Sequence, residues 1–318
     1  MSSKDRLVRD IEIALELGKA GKLSEAEMRL ARIAQDEDAA VLGPVTELGL
    51  PRKLHSARLK LAKLGADVAA LTGLRATAVP PHALLADLFP ISDDTRAAMA
   101  EACCRKVPRI VHQIWIGERI PRPCETWRQW AARHGWEYRL WDEAALSRLG
   151  LSDDPAWCVM RQMGDLPGAV DVARYHILLR EGGLYLDCDW YPIRPELGPT
   201  ALFPECGMSA IAEAGPRLVG GGGMLLANGL IATPAGHPAL RRLLNALPEV
   251  VERLRGGPAW WLTGPLPFTL ALRGGPFTVL DSAFVAGRLP RGAELPEVLR
   301  AVEEARQGAG VLLEWKDW

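Results

Sequence analysis

The chain has 318 residues, of which 48% are hydrophobic and 24% are charged. This length fits one large domain with a smaller one, and the apolar content is enough for a sizeable core, so composition excludes a disordered chain and a membrane bundle. The 38 basic and 39 acidic side chains give a formal charge of −1. Because no broad basic field is available to attract phosphates, we expect no nucleic-acid partner.

The N-terminal stretch and the cysteines indicate a reducing compartment. Charges interrupt the apolar residues of MSSKDRLVRDIEIALELGKAG, which therefore lacks the apolar core of a signal peptide and any membrane-spanning run. The six cysteines show neither C-x-x-C pairing nor metal-ligand spacing, a pattern that favours free thiols. We expect a cytoplasmic protein without a transmembrane segment.

Residues 1–105 are predicted to be all-helical. Helical signals occur in four stretches, at about 7–15, 28–33, 54–73 and 93–105. Ser24 with Glu27 predicts a capping box at the start of the second helix. This region shows no catalytic pattern, which fits a scaffold as well as a partner platform or an acceptor-binding cap.

The second region, residues 106–318, differs in construction. Before Trp115 the only Phe, Tyr or Trp is Phe89, and from Pro108 short apolar runs alternate with helical ones. This alternation predicts an α/β layered domain. Strands are predicted at about 109–116, 136–141, 183–187, 224–232 and 277–281. Helices are predicted at about 123–133, 154–163, 168–181, 236–254 and 264–273.

Two aspartates follow the predicted strand GLYLD. Ligands in open α/β sheets bind beyond the carboxyl ends of strands, and Asp187 and Asp189, two residues apart, are expected to project to the same side there. Such oxygen ligands suit Mn²⁺ or Mg²⁺. A D-x-D triplet is expected about once by chance in a chain of this length, and Asp36 with Asp38 forms a second copy. A solvated loop therefore remains an alternative for residues 187–189.

Four blocks in order resemble the DXD sugar-binding glycosyltransferases. The central block begins at Asp171 as D-x-x-R and continues as GG-x-Y-x-D-x-D to Asp189. PRIVHQIWIG and WEYRLW precede it, and NGLIATPAGHP and TGP follow it. The resemblance covers about 107–281 and is to family 32, which includes the yeast initiation α-1,6-mannosyltransferase and bacterial capsule-type relatives. The clostridial glucosylating toxins are more distantly similar.

The resemblance implies a GT-A fold, a Rossmann-like domain for a nucleotide sugar. It also implies a metal-dependent, retaining transfer of a hexose from a UDP- or GDP-sugar to the hydroxyl of a glycan, lipid, small-molecule or protein acceptor. In the family, Asp189 corresponds to the direct Mn²⁺ ligand, whereas Asp187 contacts the donor and the metal shell. A cation there stabilises the charge that develops on the departing diphosphate.

Further donor-binding positions are carried over from the same resemblance. Trp115 corresponds to an aromatic residue that stacks on the donor base, and Gln113 is assigned with it. Asp171 and Arg174, three apart on one helix face, correspond to the pair that bonds the sugar hydroxyls. With Asp187 and Asp189 they form the predicted catalytic set. The alternatives are a core position for Trp115 and an exposed ion pair for Asp171 and Arg174.

Two more donor-binding residues lie on predicted strands. Tyr185 alternates with Asp187 and is predicted to share its side, with core packing as the alternative. Asn228 corresponds to a polar residue near the transferred sugar, although Asn-Gly is also a common turn signal.

The C-terminus, LEWKDW, departs from the family pattern of a His…Ser-Trp element or of Glu, Ser and Trp. Glu314 and Asp317 are predicted to add metal ligands, and Trp318 to close over the donor as a lid. An unordered polar tail is the alternative.

Several other features are interpreted as structural. Gly220–Gly223 has no following Lys-Ser/Thr, so it is not a phosphate-binding loop, and His112, His176 and Cys188 are predicted not to be ligands. Two rival functions remain. One is a non-catalytic nucleotide-sugar-binding module whose helical region recruits a partner, and the other is two-metal phosphoryl transfer, which the neutral charge disfavours.

Overall fold

The computed structural model describes residues 2–213 and 225–318. The described chain forms two compact units: residues 2–88 with 249–262, and residues 89–213, 225–248 and 263–318. The N-terminal segment of the smaller unit thus ends at Leu88, before the boundary predicted after residue 105, because the helix between these two positions buries Met99 against Gly275 of the larger unit. The domain boundary itself stays a prediction.

The smaller unit is helical, as predicted. Its helices are α1 (Ser3–Lys19), α2 (Leu23–Ala34), α3 (Arg52–Leu64), α4 (Val68–Ala76) and the short α11 (Ala259–Leu262). The first three share a core that includes Leu7, Leu30 and Leu61.

Two details of the helix predictions were wrong. The single helix expected at 54–73 is two helices, because Ala66 has a φ of 50° and the Asp67 side chain caps the new helix through Ala70 N at 2.9 Å. The capping box at Ser24 and Glu27 is absent, because α2 begins two residues earlier than that box requires, with Lys22 at its N-cap.

The larger unit contains all five predicted strands. Its elements are α5 (Asp93–Ala102), β1 (Ile110–Ile114), α6 (Arg122–Arg133), β2 (Glu137–Trp141), α7 (Glu143–Arg148), α8 (Pro155–Gln162), α9 (Leu166–Glu181), β3 (Gly183–Leu186), β4 (Trp190–Pro192), β5 (Ser209–Ala212), β6 (Leu226–Thr233), the part of α10 (Pro238–Arg253) before residue 249, α12 (Pro265–Leu272), β7 (Thr278–Leu280), β8 (Val285–Arg288), α13 (Leu295–Ala305) and β9 (Leu312–Glu314).

The main sheet is parallel-rich and has the order β2-β1-β3-β6-β5-β7. Strand β6 runs antiparallel to β3 and β5, whereas the other neighbours are parallel. A second sheet, β4-β9-β8, begins directly after the turn that follows β3. The α/β prediction is confirmed, and the two sheets meet at the carboxyl end of β3.

A tryptophan-rich core fixes the chain after that turn. Trp127 and Trp130 of α6 are 1% exposed. Trp127 Nε1 donates to Trp190 O at 2.8 Å, and Trp130 Nε1 donates to Leu197 O at 2.9 Å. These bonds satisfy both buried indoles and hold β4 and the residues after it against α6.

Two glycines allow α9 to turn sharply into β3. Gly182 and Gly183 have φ values of 67° and 101°. A Cβ at Gly183 would lie 2.6 Å from Ile110 O, so the backbone of β3 approaches β1 where only glycine fits.

His112 is a buried structural residue of β1, as predicted. Trp141 Nε1 donates to His112 Nδ1 at 3.1 Å, so the proton lies on His112 Nε2, which donates to Gly182 O at 2.9 Å. Burial lowers the pKa of His112 from 6.5 to about 4. Burial likewise lowers the pKa of His237 to about 4.

These histidines predict loss of stability in mild acid. The folded state holds each proton less tightly than the unfolded chain, so stability falls as the pH decreases from about 6.5 toward 4. For His112 alone the loss is about 3 kcal/mol. In urea unfolding, His112→Gln should show a shallower decline between pH 7 and pH 4.5 than the wild type. His82→Gln, at an exposed histidine, should keep the wild-type decline, and equal slopes in all three proteins would contradict the prediction.

Candidate active site

Asp187, Cys188 and Asp189 form a turn between β3 and β4 rather than the end of a strand. Four hydrogen bonds hold this turn: Asp187 N to Gly229 O at 2.9 Å, Gln113 Nε2 to Asp187 O at 3.2 Å, Cys188 Sγ to Ile114 O at 3.1 Å and Trp315 N to Asp189 O at 2.7 Å. The turn is therefore tied to both neighbouring strands, β1 and β6, and to the C-terminal segment. Its two carboxylates have different partners.

Arg174 connects Asp187 to α9. Its NH2 group lies 3.1 Å from Asp171 Oδ1 and 3.1 Å from Asp187 Oδ1, and NH1 donates to Asn228 O at 2.6 Å. The guanidinium carbon also lies 4.5 Å from the ring centroid of Tyr185. The structure thus brings the predicted residues of α9, β3 and β6 together in one buried network, rather than in an exposed ion pair.

The charges of this network depend on one another. Burial raises the pKa of Asp171 to about 6, while Arg174 opposes this shift and Asp187 adds to it. Burial alone would lower the pKa of Arg174, but attraction to Asp187 and Asp171 raises it above its ordinary value. Arg174 therefore stays charged and compensates the two carboxylates.

Two residues, Asn228 and Thr263, complete the hydrogen bonding of Asp171. Asn228 Nδ2 donates to Asp171 Oδ1 at 2.8 Å and to the Tyr175 hydroxyl at 2.8 Å, and Thr263 Oγ1 donates to Asp171 Oδ2 at 3.1 Å. Asn228 lies within β6, not in a turn. Tyr175 and Thr263 were missed as site residues. Tyr175 shares the helix face of Asp171 at a spacing of four, which is a signal that the sequence does contain.

Tyr185 and Asp187 lie on the same side, because the Tyr185 hydroxyl donates to Asp187 Oδ1 at 3.0 Å. Gln113 is fully buried, and its Oε1 accepts from the Tyr138 hydroxyl at 2.9 Å. The structure places Gln113 behind the turn, where it supports the backbone of Asp187.

Gly229, which the sequence pattern did not single out as a site residue, sets the position of Asp187. A Cβ at residue 229 would lie 3.1 Å from Asp187 Cγ and 3.3 Å from Trp190 Nε1, with a still closer approach to Asp187 Oδ2. The absence of a side chain therefore lets the carboxylate lie against β6.

We expect Gly229→Ala to displace the Asp187 carboxylate and to weaken ligand binding at the turn by about tenfold, which corresponds to about 1.4 kcal/mol. Nucleotide-sugar binding measured by calorimetry tests this effect. Gly73→Ala is the control, since Gly73 lies in α4 without a positive φ and nothing lies within 4 Å of a Cβ there. Unchanged affinity in Gly229→Ala would show that Asp187 tolerates the displacement.

Asp189 belongs to a different cluster, formed with the C-terminal segment. Lys316 Nζ lies 3.5 Å from Asp189 Oδ2 and 3.3 Å from Glu314 Oε1. Glu314 Oε2 also accepts from Arg288 Nε at 2.5 Å. Burial, followed by repulsion from Asp187 and Glu314, raises the pKa of Asp189 to about 7, although Lys316 acts in the opposite direction.

Asp317 is not brought to Asp189. Its Oδ2 lies 3.2 Å from Arg119 NH1 and accepts from Arg122 N at 3.1 Å. Trp318 contacts Trp115 edge to face, with the ring centroids 4.9 Å apart. The C-terminal segment is therefore ordered over the end of β1 rather than extended as a tail.

The donor set at the turn suits a divalent cation in its chemistry. Asp187 and Asp189 offer oxygen ligands of the kind that Mn²⁺ and Mg²⁺ prefer. The raised pKa of Asp189 shows that its burial and the charge of Asp187 oppose ionisation more strongly than Lys316 favours it. Within residues 2–213 and 225–318, no three acidic, histidine or cysteine side chains converge as a ligand group. The predicted set of four ligands is thus not assembled.

The remaining predictions concern the cysteines, His176, the glycine run and membrane-spanning helices. All six cysteines are free thiols, as predicted, and Cys188 is buried against β1. His176 pairs with Asp154 at 2.8 Å. Gly220–Gly223 lies outside the described residues. In the described part of the chain, no helix is both long and apolar enough to cross a membrane.

Comparison with known proteins places a sugar-binding region at this turn. Residues 124–204 match the family model described as "Glycosyltransferase sugar-binding region containing DXD motif". That segment contains Asp171, Arg174, Asp187 and Asp189. The chain therefore carries the sugar-binding region of the DXD glycosyltransferases, and the resemblance predicted from the sequence is confirmed. The predicted fold class is confirmed as an α/β domain preceded by helices, and its GT-A type stays a prediction.

Two curated relatives come from Schizosaccharomyces pombe. Inositol phosphoceramide mannosyltransferase 1 is 35% identical over 114 residues, or 32% of this chain and 33% of that protein. Inositol phosphoceramide mannosyltransferase 3 is 28% identical over 171 residues, or 51% of this chain and 43% of that protein. This chain therefore spans only about a third to two-fifths of their length. Among solved structures, the PaToxG glycosyltransferase is similar with a TM-score of 0.43 and 17% identity, over 71% of this chain and 82% of that chain.

Proposed function

We propose that the protein is a metal-dependent glycosyltransferase that moves a hexose from a nucleotide sugar to an acceptor hydroxyl. The observation that carries this proposal is the buried network of Asp171, Arg174 and Asp187, which lies within the matched sugar-binding region. If Asp171 and Arg174 formed only a surface ion pair, they would not need to be buried. A binding site for a polar ligand, by contrast, needs hydrogen-bonding groups that are held in fixed positions. Asp187, at 35% side-chain exposure, is the member of the network that a donor can reach.

Each residue has a role in this proposal. Asp187 and Asp189 would hold Mn²⁺ or Mg²⁺, which when bound stabilises the charge of the departing diphosphate. Arg174 holds Asp187 in place through the ion pair at 3.1 Å. Trp115, beneath Trp318, is the aromatic surface proposed for the donor base. Asp171 is hydrogen-bonded within the network, so no carboxylate is assigned as a covalent nucleophile. We therefore propose a retaining reaction by front-face attack.

The donor proposed for the first test is GDP-mannose, because both curated relatives are named mannosyltransferases. UDP-hexoses form the second group. A lipid, glycan, small molecule or protein is the acceptor class, and the names of the relatives favour testing a lipid first.

A donor screen with Mn²⁺ tests the proposed function. At a 100-fold excess over Kd, one nucleotide sugar should raise the melting temperature by about 5 °C, and the shift should require metal. Release of GDP or UDP from that donor then separates an enzyme from a non-catalytic binder, since binding without turnover supports the binder. If no nucleotide sugar changes the melting temperature and none is cleaved, the proposal is wrong.

A further inference from the structure

Lys316 already provides a positive charge at the proposed metal site. Its ammonium lies 3.5 Å from Asp189 Oδ2 and 3.3 Å from Glu314 Oε1. The side chains of Asp189 and Glu314 are only 15% and 9% exposed, whereas that of Lys316 is 44% exposed. One partly exposed ammonium therefore bridges two buried carboxylates.

The backbone around Lys316 is fixed, although its side chain reaches solvent. On one side, Trp315 N donates to Asp189 O at 2.7 Å, and the Trp315 ring is 1% exposed. On the other side, Lys316 O accepts from Gly292 N at 3.0 Å, and Asp317 Oδ2 accepts from Arg122 N at 3.1 Å. The lysine is thus held at the turn by its neighbours and not by the two carboxylates alone.

We propose that Lys316 is a built-in counter-cation of the Asp189 carboxylate, which a divalent metal must displace before it can bind there. This inference rests on the proposed function, because it concerns the same metal site. An ammonium and a divalent ion cannot share the Asp189 oxygens without strong repulsion, since like charges at contact distance near a protein surface are only weakly screened. A lysine has a long, flexible stem, so its ammonium can move into solvent while the backbone stays in place.

The displaced ammonium has a second role in this proposal. It remains tethered next to the turn, where the diphosphate of a donor would arrive with its metal. A lysine acts on phosphate as a point charge and needs no fixed geometry. When metal binds, Lys316 thus leaves the carboxylate and contacts phosphate instead. Lys316 is therefore a positioning residue that couples metal affinity to donor binding.

The test measures Mn²⁺ affinity directly, without donor or turnover. Electron paramagnetic resonance counts the Mn²⁺ that remains unbound in solutions of wild type, Lys316→Met and Lys316→Arg. We expect Lys316→Met to bind Mn²⁺ about tenfold more tightly than wild type, because the competing charge is gone, while Lys316→Arg stays within about twofold. Lys53→Met is the control for loss of a lysine elsewhere in the chain.

A second measurement guards against a folding defect in the methionine variant. Without metal, Lys316→Met should melt below wild type, because Asp189 and Glu314 lose a counter-charge, and saturating Mn²⁺ should remove the difference. With GDP or UDP added, the tenfold gain should shrink or reverse, since the variant also lacks the charge for the diphosphate.

Unchanged or weaker Mn²⁺ binding by Lys316→Met overturns the inference. The absence of Mn²⁺ binding by both the wild type and Lys316→Met overturns it as well. These results are separable from failure of the proposed function. Donor cleavage by wild type with unaltered Mn²⁺ affinity in the variant removes the inference alone. Tighter Mn²⁺ binding by the variant, with no donor bound or cleaved by either protein, removes the transferase function alone.

Discussion

Asp189→Asn should fold normally and lose sugar transfer by about three orders of magnitude, the effect of removing one electrostatic contribution to a developing charge. Asn keeps the shape of the side chain but is a much weaker ligand for Mn²⁺. The assay is release of GDP or UDP in the presence of Mn²⁺.

The other D-x-D triplet supplies a control for this variant. Asp38 has a side chain that is 51% exposed and lies 3.6 Å from Arg6 NH2, so Asp38→Asn should transfer sugar at the wild-type rate. Transfer by Asp189→Asn within twofold of wild type would remove Asp189 from the metal site.

The stability of Asp189→Asn shows whether its loss of activity arises from the metal site or from unfolding. Because the folded protein raises the pKa of Asp189 to about 7, stability declines as the pH rises from about 4 to 7, where the folded state holds a proton that the unfolded chain has lost. The neutral asparagine avoids this decline. At pH 8 and without metal, the variant should therefore melt no lower than wild type, and a much lower melting temperature would mean that the activity loss reflects unfolding.

Arg174→Leu should destabilise the fold by about 3–5 kcal/mol, the cost of leaving a buried carboxylate without its partner. Asp171 is 7% exposed, and Arg174 is the cation that contacts both it and Asp187. Urea unfolding at pH 7.5 measures the loss. Arg180→Leu, at an exposed position of the same helix, should change stability by less than about 0.5 kcal/mol.

A double variant separates charge from packing. If the cost arises from the unpaired carboxylate, Asp171→Asn combined with Arg174→Leu should recover a large part of the stability lost in Arg174→Leu. No recovery in the double variant would assign the loss to the packing of the guanidinium over the Tyr185 ring.

The parts of the fold that the sequence predicted are those with a strong periodic or apolar signal. Strands β1 and β6 are almost wholly buried and contain short apolar runs around a few polar residues, and α9 ends at a glycine pair. Strands β4, β5, β8 and β9 were missed, because each has only three or four residues and pairs with residues outside its own local segment. Pairing over such distances leaves no local pattern.

The candidate site shows the same division between local and distant signals. Asp171 and Arg174 share a helix face at a spacing of three, and Tyr185 and Asp187 lie close together at a strand end, so the residues themselves show the grouping. The sequence did not indicate Lys316 as a site residue, because its segment reaches the turn only through the pairing of β9 with β4. The two carboxylates were expected to act as one pair, but a tight turn directs them to different partners.

The bridge through Gln113 has a consequence for how this protein family varies. The amide of Gln113 donates to Asp187 O and accepts from the Tyr138 hydroxyl, so one side chain joins three adjacent strands and has no other orientation that satisfies both ends. A relative with phenylalanine at position 138 would leave a buried acceptor unmet. Positions 113 and 138 should therefore change together among homologues, even though residue 138 lies on the edge strand.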